Sequence, residues 1–249
     1  MFDRLKILGH SMITRMNQME VITNNLANID TTGFKRDELF MNELDKKLKE
    51  MAFTKYESKT HIPSSGAVID FTQGGLKGTG RPLDVAFSGE GLFVVEAPQG
   101  EVYTRDGRFT LSEEGLLVTL DGLPVLGEGG PIELDLQTNT PEKILINDSG
   151  EILLDGAIVD TLKIVGIGDP QNLIKIGGNL YKLADGAPEP NPPEHVSLRQ
   201  GFLEDSNVDP IYEMVTMMEV LQFYEMNQKM IREEDRLLGS AVREIGRIG

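Results

Sequence analysis

The sequence contains no cysteine and no tryptophan. Without cysteine, disulfide bonds, thiolate metal sites and cysteine nucleophiles are excluded. Aromatic residues make up only 6% of the chain, so a groove that stacks sugar rings is not expected. No run of about 18 apolar residues occurs, and no transmembrane helix is therefore expected. The N-terminal stretch also lacks the pattern of a secretory signal peptide, so we expect no export by the general secretory route.

Basic residues are scarce as well. The 24 Lys and Arg residues stand against 40 Asp and Glu residues, which gives a formal net charge of −16. Binding to nucleic acid or to an anionic membrane needs clustered Lys and Arg, so neither is an expected partner. The first 49 residues are the least acidic part, with 8 basic and 7 acidic groups and hence a net charge of +1.

Histidine is almost absent: only His10, His61 and His195 occur, and none has metal-ligand spacing to another. No G-x-S-x-G motif is present, and the glycine-rich stretch 74–80 lacks the G-K-[ST] ending of a phosphate-binding loop. We therefore expect no enzyme activity, no catalytic residues, no metal, no cofactor and no small-molecule substrate.

The N-terminal part has the pattern of an amphipathic helix over residues 3–27. Its apolar residues recur at steps of three and four, which is helical spacing. They are Leu5, Leu8, Met12, Met16, Met19, Ile22 and Leu26. Asn28 is a candidate left-handed C-cap, and Gly33 cannot easily continue a helix. Residues 37–51 are rich in helix formers and predict a weaker second helix.

The pattern changes from Pro63 to about Leu203. Apolar runs shorten to three to six residues, and Gly-containing turns separate them, which indicates an all-β domain, a sandwich or a barrel. After a Pro-rich loop, Ser206 or Asn207 is a candidate cap, with Pro210 in the first turn of a long helix over about 211–245. This helix carries a heptad pattern that predicts a packing seam.

The predicted fold class is therefore α+β, with two long terminal α-helices flanking a central all-β domain. The helices are expected to be coiled-coil-like and to pack together or between subunits, because neither can bury its apolar stripe alone. We divide the chain into an N-terminal helix and joint (1–40), a linker (41–80), a central β domain (81–203) and a C-terminal helix (204–249).

Several segments together resemble one known family, the flagellar basal-body rod and hook proteins. The stretch TNNLANIDTTGFKRDE at 23–38 is similar to its N-terminal signature. The stretches at 79–95 and 103–119 resemble the start of its central β domain, and the stretch at 199–231 resembles its C-terminal helical signature. The three resemblances occur in the family's order.

The resemblance implies a structural subunit of the bacterial flagellum. Its terminal helices would polymerise into the axial rod that transmits torque from motor to hook. Implied partners are further copies, other rod and hook subunits and the flagellar type III export apparatus. The implied location is the periplasmic part of the basal body, reached without a cleaved signal peptide. Chain length and the short linker favour the proximal-rod group, with a distal-rod or hook-type subunit as the alternative.

The terminal segments supply the predicted subunit interface. In the N-terminal part it comprises Leu8, Met12, Met16, Met19, Asn24, Asn25, Leu26, Asn28, Thr32, Gly33, Phe34 and Lys35. In the C-terminal helix it comprises Met217, Leu221, Tyr224, Gln228, Ile231, Leu238 and Val242. We call residues 24–38 the asparagine-rich stretch. We expect it to act as a joint between subunits, with Lys35 and Arg36 offering cations to an acidic assembly.

A second class of function stays open at this point, a carbohydrate-binding or hydrolytic β domain with a helical oligomerisation stalk. A deletion separates the two. For a rod subunit, removing residues 1–40 is expected to abolish assembly and to leave the β domain folded. For an enzyme, activity should map to carboxylates within 63–203.

Overall fold

A computed structural model describes residues 2–39, 67–134, 144–193 and 197–245 of the chain. These residues form two α-helices, one short 3-10 helix (Pro170–Asn172) and eighteen short strands. Among them, no helix is both long and apolar enough to cross a membrane. The chain divides into two compact units, which we call the helical unit and the β unit. The β unit contains Asn28–Glu38 and Val68–Val208, and the two α-helices belong to the helical unit.

The helices are α1 (Phe2–Ala27) and α2 (Pro210–Ile245). The α+β class and the mostly β central region are confirmed. The expectation of two long helices is wrong for the N-terminal one, which has 26 residues against 36 for α2. The helix predicted over residues 37–51 lies largely outside the described residues, and the described Asp37–Leu39 form a strand instead.

The first helix ends where the sequence predicted, but its C-cap differs. Among the described residues, Asp155 and Asn179 are the non-glycine residues with positive φ, so Asn28 is not left-handed. Its main-chain oxygen instead accepts a hydrogen bond from Thr31 N at 3.2 Å, in a turn. The left-handed residue comes later, at Gly33, whose φ is +68°.

The cap of α2 also differs from the prediction. Asp209 lies immediately before the helix, and its Oδ1 accepts hydrogen bonds from Ile211 N (2.9 Å) and Tyr212 N (3.2 Å). This is an ordinary N-cap, which satisfies two of the unpaired amides of the first turn. Ser206 and Asn207, the candidates from sequence, lie within the β unit, whereas Pro210 occupies the first helical position as expected.

The strands of the β unit are short and mostly antiparallel hairpins. They are β1 (Asp37–Leu39), β2 (Ala67–Ile69), β3 (Leu76–Gly78), β4 (Val85–Phe87), β5 (Leu92–Ala97), β6 (Gly100–Thr104), β7 (Phe109–Leu111), β8 (Leu117–Thr119), β9 (Leu126–Gly127), β10 (Gly130–Pro131), β11 (Ile144–Ile146), β12 (Glu151–Leu154), β13 (Ala157–Thr161), β14 (Ile164–Val165), β15 (Leu173–Gly177), β16 (Leu180–Leu183), β17 (Leu198–Gln200) and β18 (Phe202–Glu204). Strands β2 and β3 lie within the segment predicted as a linker.

The largest sheet has five strands in the order β14-β5-β6-β16-β15, and a second sheet has the order β11-β12-β13. Early and late strands of the β unit also pair with each other, because β17 pairs with β4 and β18 pairs with β3. The last two strands before α2 are therefore paired with early strands of the domain. This arrangement closes the β unit on segments far apart in sequence.

Strand β5 explains how one short segment supports two core clusters. Successive side chains of a strand point to opposite faces. Phe93 and Val95 join the cluster around Phe109, whereas Leu92 and Val94 join the cluster around Tyr181. A strand that is buried on both faces reads as a continuous apolar run, as LFVV does here.

Candidate functional site

The two helices of the helical unit pack against each other in antiparallel fashion. Asn25 Nδ2 donates to Glu213 Oε1 at 3.2 Å, and Asn227 Nδ2 donates to Ser11 Oγ at 3.1 Å. The later residue of α1 contacts the earlier residue of α2, and the two contacts are equally far apart along both helices. Buried polar pairs of this kind fix the register of two helices, because a shifted register would leave them unpaired.

The face of α2 turned toward α1 is a heptad row. Glu213, Val220 and Asn227 are seven residues apart, and all three side chains are buried. Among the side chains of α1 that the structure describes, Ile22 and Asn25 are buried. The seam predicted from sequence is offset around the helix from this buried row. Its residues Met217, Tyr224, Gln228 and Ile231 are half-buried, whereas Leu221 is 38% exposed.

A second row of apolar side chains on α2 is exposed. Val215, Phe223, Met226 and Met230 are each 45–49% exposed. Their spacing of eight, three and four residues places them on one side of the helix, about 100° around from the buried row. Phe223 also carries the Arg15 guanidinium of α1 above its ring, 4.9 Å from the centroid. The C-terminal helix thus has one face that α1 covers and a separate row of apolar side chains that is exposed to solvent.

Some of the predicted interface residues of α1 are exposed, and others are buried or half-buried. Met16 is 55% exposed, Asn24 is exposed, and Asn25 is buried beside Glu213. The remaining ones are half-buried: Leu8, Met12, Met19 and Leu26. The side chains of Leu238 and Val242 lie outside the described part of the chain. The assignment of all these residues to a subunit interface stays a prediction.

The second half of the asparagine-rich stretch lies in the β unit. We call Asn28–Glu38 the connector. Asn28 and Thr32 are half-buried there, whereas Gly33, Phe34 and Lys35 are buried. Their burial is within the same chain, so Lys35 is not a cation on the monomer's surface. The deletion of residues 1–40 considered above would remove this part of the β unit.

A buried ionic cluster holds the connector. Lys35 Nζ lies 2.6 Å from Glu204 Oε1, and Arg105 Nε lies 2.6 Å from Glu204 Oε2. All three side chains are at most 1% exposed. We call these three residues the ionic clamp. It joins segments near residues 35, 105 and 204, which only the tertiary structure brings together.

Main-chain oxygens accept hydrogen bonds from the two cations of the clamp, which outnumber its single carboxylate. Two cations share one carboxylate, and burying an uncompensated charge is costly. Lys35 Nζ also donates to Thr72 O at 2.8 Å, and the Arg105 guanidinium donates to Gly89 O and Gly91 O. Each cation therefore has hydrogen-bond acceptors besides Glu204.

Burial controls the protonation equilibria of both cations. Desolvation lowers the pKa of Lys35 and of Arg105, and the neighbouring Glu204 carboxylate opposes this lowering in both cases. The clamp thus combines a cost of desolvating the charged forms with the attraction between opposite charges. Its geometry is suited to holding chain segments together.

Hydrogen bonds from main-chain amides also join the connector to the segment that precedes α2. Gly33 N donates to Glu204 O at 2.7 Å, and Arg36 N donates to Asn207 Oδ1 at 2.7 Å. Asn207 Nδ2 in turn donates to Asp70 O at 2.8 Å. The segment that follows α1 and the segment that precedes α2 are therefore bonded to each other inside the β unit.

Sequence reasoning missed Arg105, Glu204 and Asn207. A Glu or Arg among many charged residues carries no local signal of burial, because its partner lies about 100 residues away in sequence. The sequence feature that could have indicated a buried site is Gly33-Phe34-Lys35, where a lysine follows an apolar residue after a left-handed turn. Among the described residues, no cluster of three or more metal-ligand side chains was found.

Three family descriptions match the chain in order. Residues 5–35 match "Flagella basal body rod protein", residues 86–154 match "Flagellar hook protein FlgE/F/G D1 domain", and residues 199–244 match "Flagellar basal body rod FlgEFG protein C-terminal". The matched segments contain most of α1, the connector as far as Lys35, the hairpins between residues 86 and 154, and nearly all of α2.

Similar proteins match over nearly their whole length. The chain is 36% identical over 238 residues to the flagellar basal-body rod protein FlgF of Caulobacter vibrioides, covering 95% of each chain. It is 32% identical over 256 residues to the flagellar basal-body rod protein FlgG of Agrobacterium fabrum, covering 94% of this chain and 95% of that protein. The FlgF protein of Mesorhizobium japonicum is 28% identical over 249 residues. The chain therefore belongs to the flagellar basal-body rod protein family, whose members are structural proteins and not enzymes.

Proposed function

We propose that the chain is a rod subunit that polymerises through its terminal helices into the axial tube of the basal body, most closely in the manner of the proximal-rod group. The similarity to proteins named as rod subunits supports this proposal over nearly the whole chain. Further copies and other rod and hook subunits are its partners. Its location is the periplasmic part of the basal body, which it reaches through the flagellar export apparatus without a cleaved signal.

The exposed apolar row of α2 is the observation that carries the proposal. Helix α1 already covers the buried row of α2, yet Val215, Phe223, Met226 and Met230 remain about half exposed. Burial of apolar surface contributes about 25 cal/mol per Å², so a row of four large side chains favours association with a further helix. A repeating assembly uses such a face through contacts that do not close on themselves.

Substitution of this row tests the proposal. In the double variant Met226→Glu/Met230→Glu we expect tubular assembly with purified partner rod subunits to be lost in electron micrographs. Two carboxylates on the packing face must be desolvated on assembly, which is costly. Because both methionines are half exposed in the monomer, its free energy of unfolding should change by less than about 0.5 kcal/mol.

Lys229→Glu is the matched control. Lys229 is exposed on the same helix, about 80° around from the centre of the exposed row, and its substitution changes the net charge by the same two units. This variant is expected to assemble as the natural sequence does. Normal assembly of the double variant, or equal loss in Lys229→Glu, would contradict the assignment of the exposed row to the subunit interface.

A further inference from the structure

The connector is held by the β unit in the way that a receptor holds a peptide. Its main chain receives hydrogen bonds from side chains: Lys175 Nζ donates to Lys35 O at 2.6 Å, and Asn179 Nδ2 donates to Thr32 O at 2.8 Å. Asp70 N donates to Arg36 O at 2.8 Å, and the connector ends in β1, which pairs with β2. Main-chain pairing of an extended segment gives affinity, and side-chain sites give specificity.

Side-chain contacts make the recognition specific for Gly-Phe-Lys. The Lys175 ammonium lies over the Phe34 ring, 4.2 Å from its centroid, and forms an ion pair with Asp37 at 2.8 Å. A Cβ atom at Gly33 would lie 2.8 Å from main-chain atoms of Arg105, so no other residue fits there without a shift. We call the receiving surface, formed by Thr72, Arg105, Lys175, Asn179, Glu204 and Asn207, the connector groove.

The carboxylate of the groove keeps partners when the connector is absent. Glu204 retains Arg105 as an ion-pair partner and Gly74 N as a donor at 2.9 Å. Lys35, by contrast, arrives with the connector. Its departure therefore leaves a paired carboxylate in the groove and carries away the excess cation. The groove cation Lys175, in contrast, loses its ion pair with Asp37 when the connector leaves, so an empty groove favours binding of another connector.

Chain connectivity leaves room for exchange. Leu39 at the end of β1 and Ala67 at the start of β2 are separated by 27 residues, 40–66. At about 3.3 Å per residue, such a length has a maximum reach of roughly 90 Å, so the covalent link after the connector does not require it to occupy the groove of its own chain. In an assembly, neighbouring copies would offer the same segment at high local concentration.

We propose that the connector groove is a peptide-recognition site that also accepts the connector of a second copy of this chain, so that subunits are joined by exchanged connectors. This inference rests on the proposed function, because only an assembly keeps copies close together. It adds to that function a polar, sequence-specific contact in the β unit, separate from the apolar packing of the helices. Domain exchange of this kind is a low-cost route to association.

A peptide titration tests recognition first. A fluorescein-labelled peptide of residues 28–38 is added to the full-length Lys35→Met chain, whose own connector is weakened. We expect saturable binding by fluorescence anisotropy, and binding at least about tenfold weaker to the natural chain because its groove is occupied. The same peptide carrying Lys35→Ala should bind about tenfold more weakly than the unmodified peptide. Absence of saturable binding to Lys35→Met would overturn the proposal.

Mixing two full-length variants tests exchange between copies. The Asn207→Ala chain has a weakened groove and an intact connector, whereas the Lys35→Met chain has an intact groove and a weakened connector. Native mass spectrometry should show a heterodimer in the mixture and much less dimer in either variant alone. Dimers formed through the helices would occur equally in all three samples, so failure of this proposal is distinguishable from failure of the helix-packing proposal.

Hydrogen exchange provides the folding control. In both variants, amides of the core strand β5, such as those of Phe93 and Val94, are expected to keep their protection. Loss of that protection would show that the connector is an integral part of the core and would overturn the proposal. Peptide binding without a heterodimer would assign the groove to its own chain's connector alone and would overturn the exchange.

Discussion

At the residue scale, Glu204 is the shared acceptor of the β unit. Its two carboxylate oxygens bind Lys35 and Arg105, and its main-chain oxygen accepts a hydrogen bond from Gly33. The same side chain also accepts from Gly74 N. No other described residue joins the connector, the centre of the β unit and the segment before α2 in this way.

Substitutions in the ionic clamp should have unequal costs. Glu204→Gln leaves two buried cations without a carboxylate, so we expect the free energy of unfolding of the β unit to fall by about 3–5 kcal/mol. Lys35→Met leaves Glu204 paired with Arg105 and should cost only about 1–2 kcal/mol. Urea unfolding followed by circular dichroism measures both. Equal costs, or the reverse order, would contradict the shared role of Glu204.

Tyr181 is expected to make the protein sensitive to alkaline pH. Burial raises the pKa of Tyr181 and of Tyr103 above the ordinary value of 10.0. A raised pKa means that the neutral form is favoured in the folded state, so this stability is present below pH 10.0 and is lost as pH rises through the folded pKa. Above about pH 10 the free energy of unfolding should therefore decrease with pH.

Tyr181→Phe is the variant that isolates this effect. The Tyr181 hydroxyl is buried without a hydrogen-bond partner among the described residues, so its removal should raise stability by about 1 kcal/mol at pH 8. The difference from the natural chain should then grow above pH 10. Lys35 and Lys175, whose pKa values are lowered by burial, act in both chains alike and cancel in the comparison. A difference that does not change with pH would argue against ionisation of Tyr181.

At the element scale, the boundary between helix and β unit lies inside the asparagine-rich stretch. Helix α1 ends at Ala27, and the connector then enters the β unit. Asn25 is bonded to Glu213 of α2, whereas Gly33 is bonded to Glu204 of β18. One continuous sequence motif therefore serves two compact units through different partners.

Two N-terminal deletions should consequently behave differently. Deletion of residues 1–27 removes α1 but retains the connector, so the β unit should keep its amide protection. Deletion of residues 1–40 also removes Phe34 and Lys35, and the β unit should lose about 3 kcal/mol or more of stability. Hydrogen exchange of the strands β4 to β8 distinguishes the two. Equal protection in both deletions would restore the expectation from sequence that the β domain folds without residues 1–40.

At the scale of the whole molecule, the effect of a substitution on assembly must be distinguished from its effect on monomer stability. The chain carries a net charge of −16, and like-charge repulsion keeps acidic monomers apart. Apolar and polar contacts between copies must exceed that repulsion. A variant that weakens the monomer will reduce assembly indirectly, so the choice of residue decides what an assembly assay reports.

Asn24 and Asn25 illustrate that choice. Asn25 is 1% exposed and donates to Glu213, so Asn25→Ala should destabilise the helix pair by about 1 kcal/mol and reduce assembly indirectly. Asn24 is exposed, so Asn24→Ala should leave monomer unfolding unchanged within about 0.5 kcal/mol and weaken assembly directly if the stretch is a joint. Thermal unfolding and electron microscopy of both variants provide the comparison. Unimpaired assembly of Asn24→Ala would remove that residue from the interface.

The sequence alone determined the parts of this protein that depend on local patterns. Apolar spacing gave both helices nearly to the residue, and short runs between Gly turns gave the β region. The absence of Cys, the scarcity of His and the acidic balance excluded whole classes of site. The ordered motifs at 23–38, 79–119 and 199–231 indicated the family, because each combines a turn with an amphipathic element.

Only the tertiary structure decided which residues meet. The row of α2 that α1 covers is Glu213, Val220 and Asn227, because buried polar pairs set the register where apolar spacing alone allows several. Lys35 is buried because Glu204 and Thr72, both distant in sequence, bind its ammonium group, which no local pattern encodes. Long-range pairing of charges and of helix faces depends on the closed chain, and its physical signal exists only once the segments are in contact.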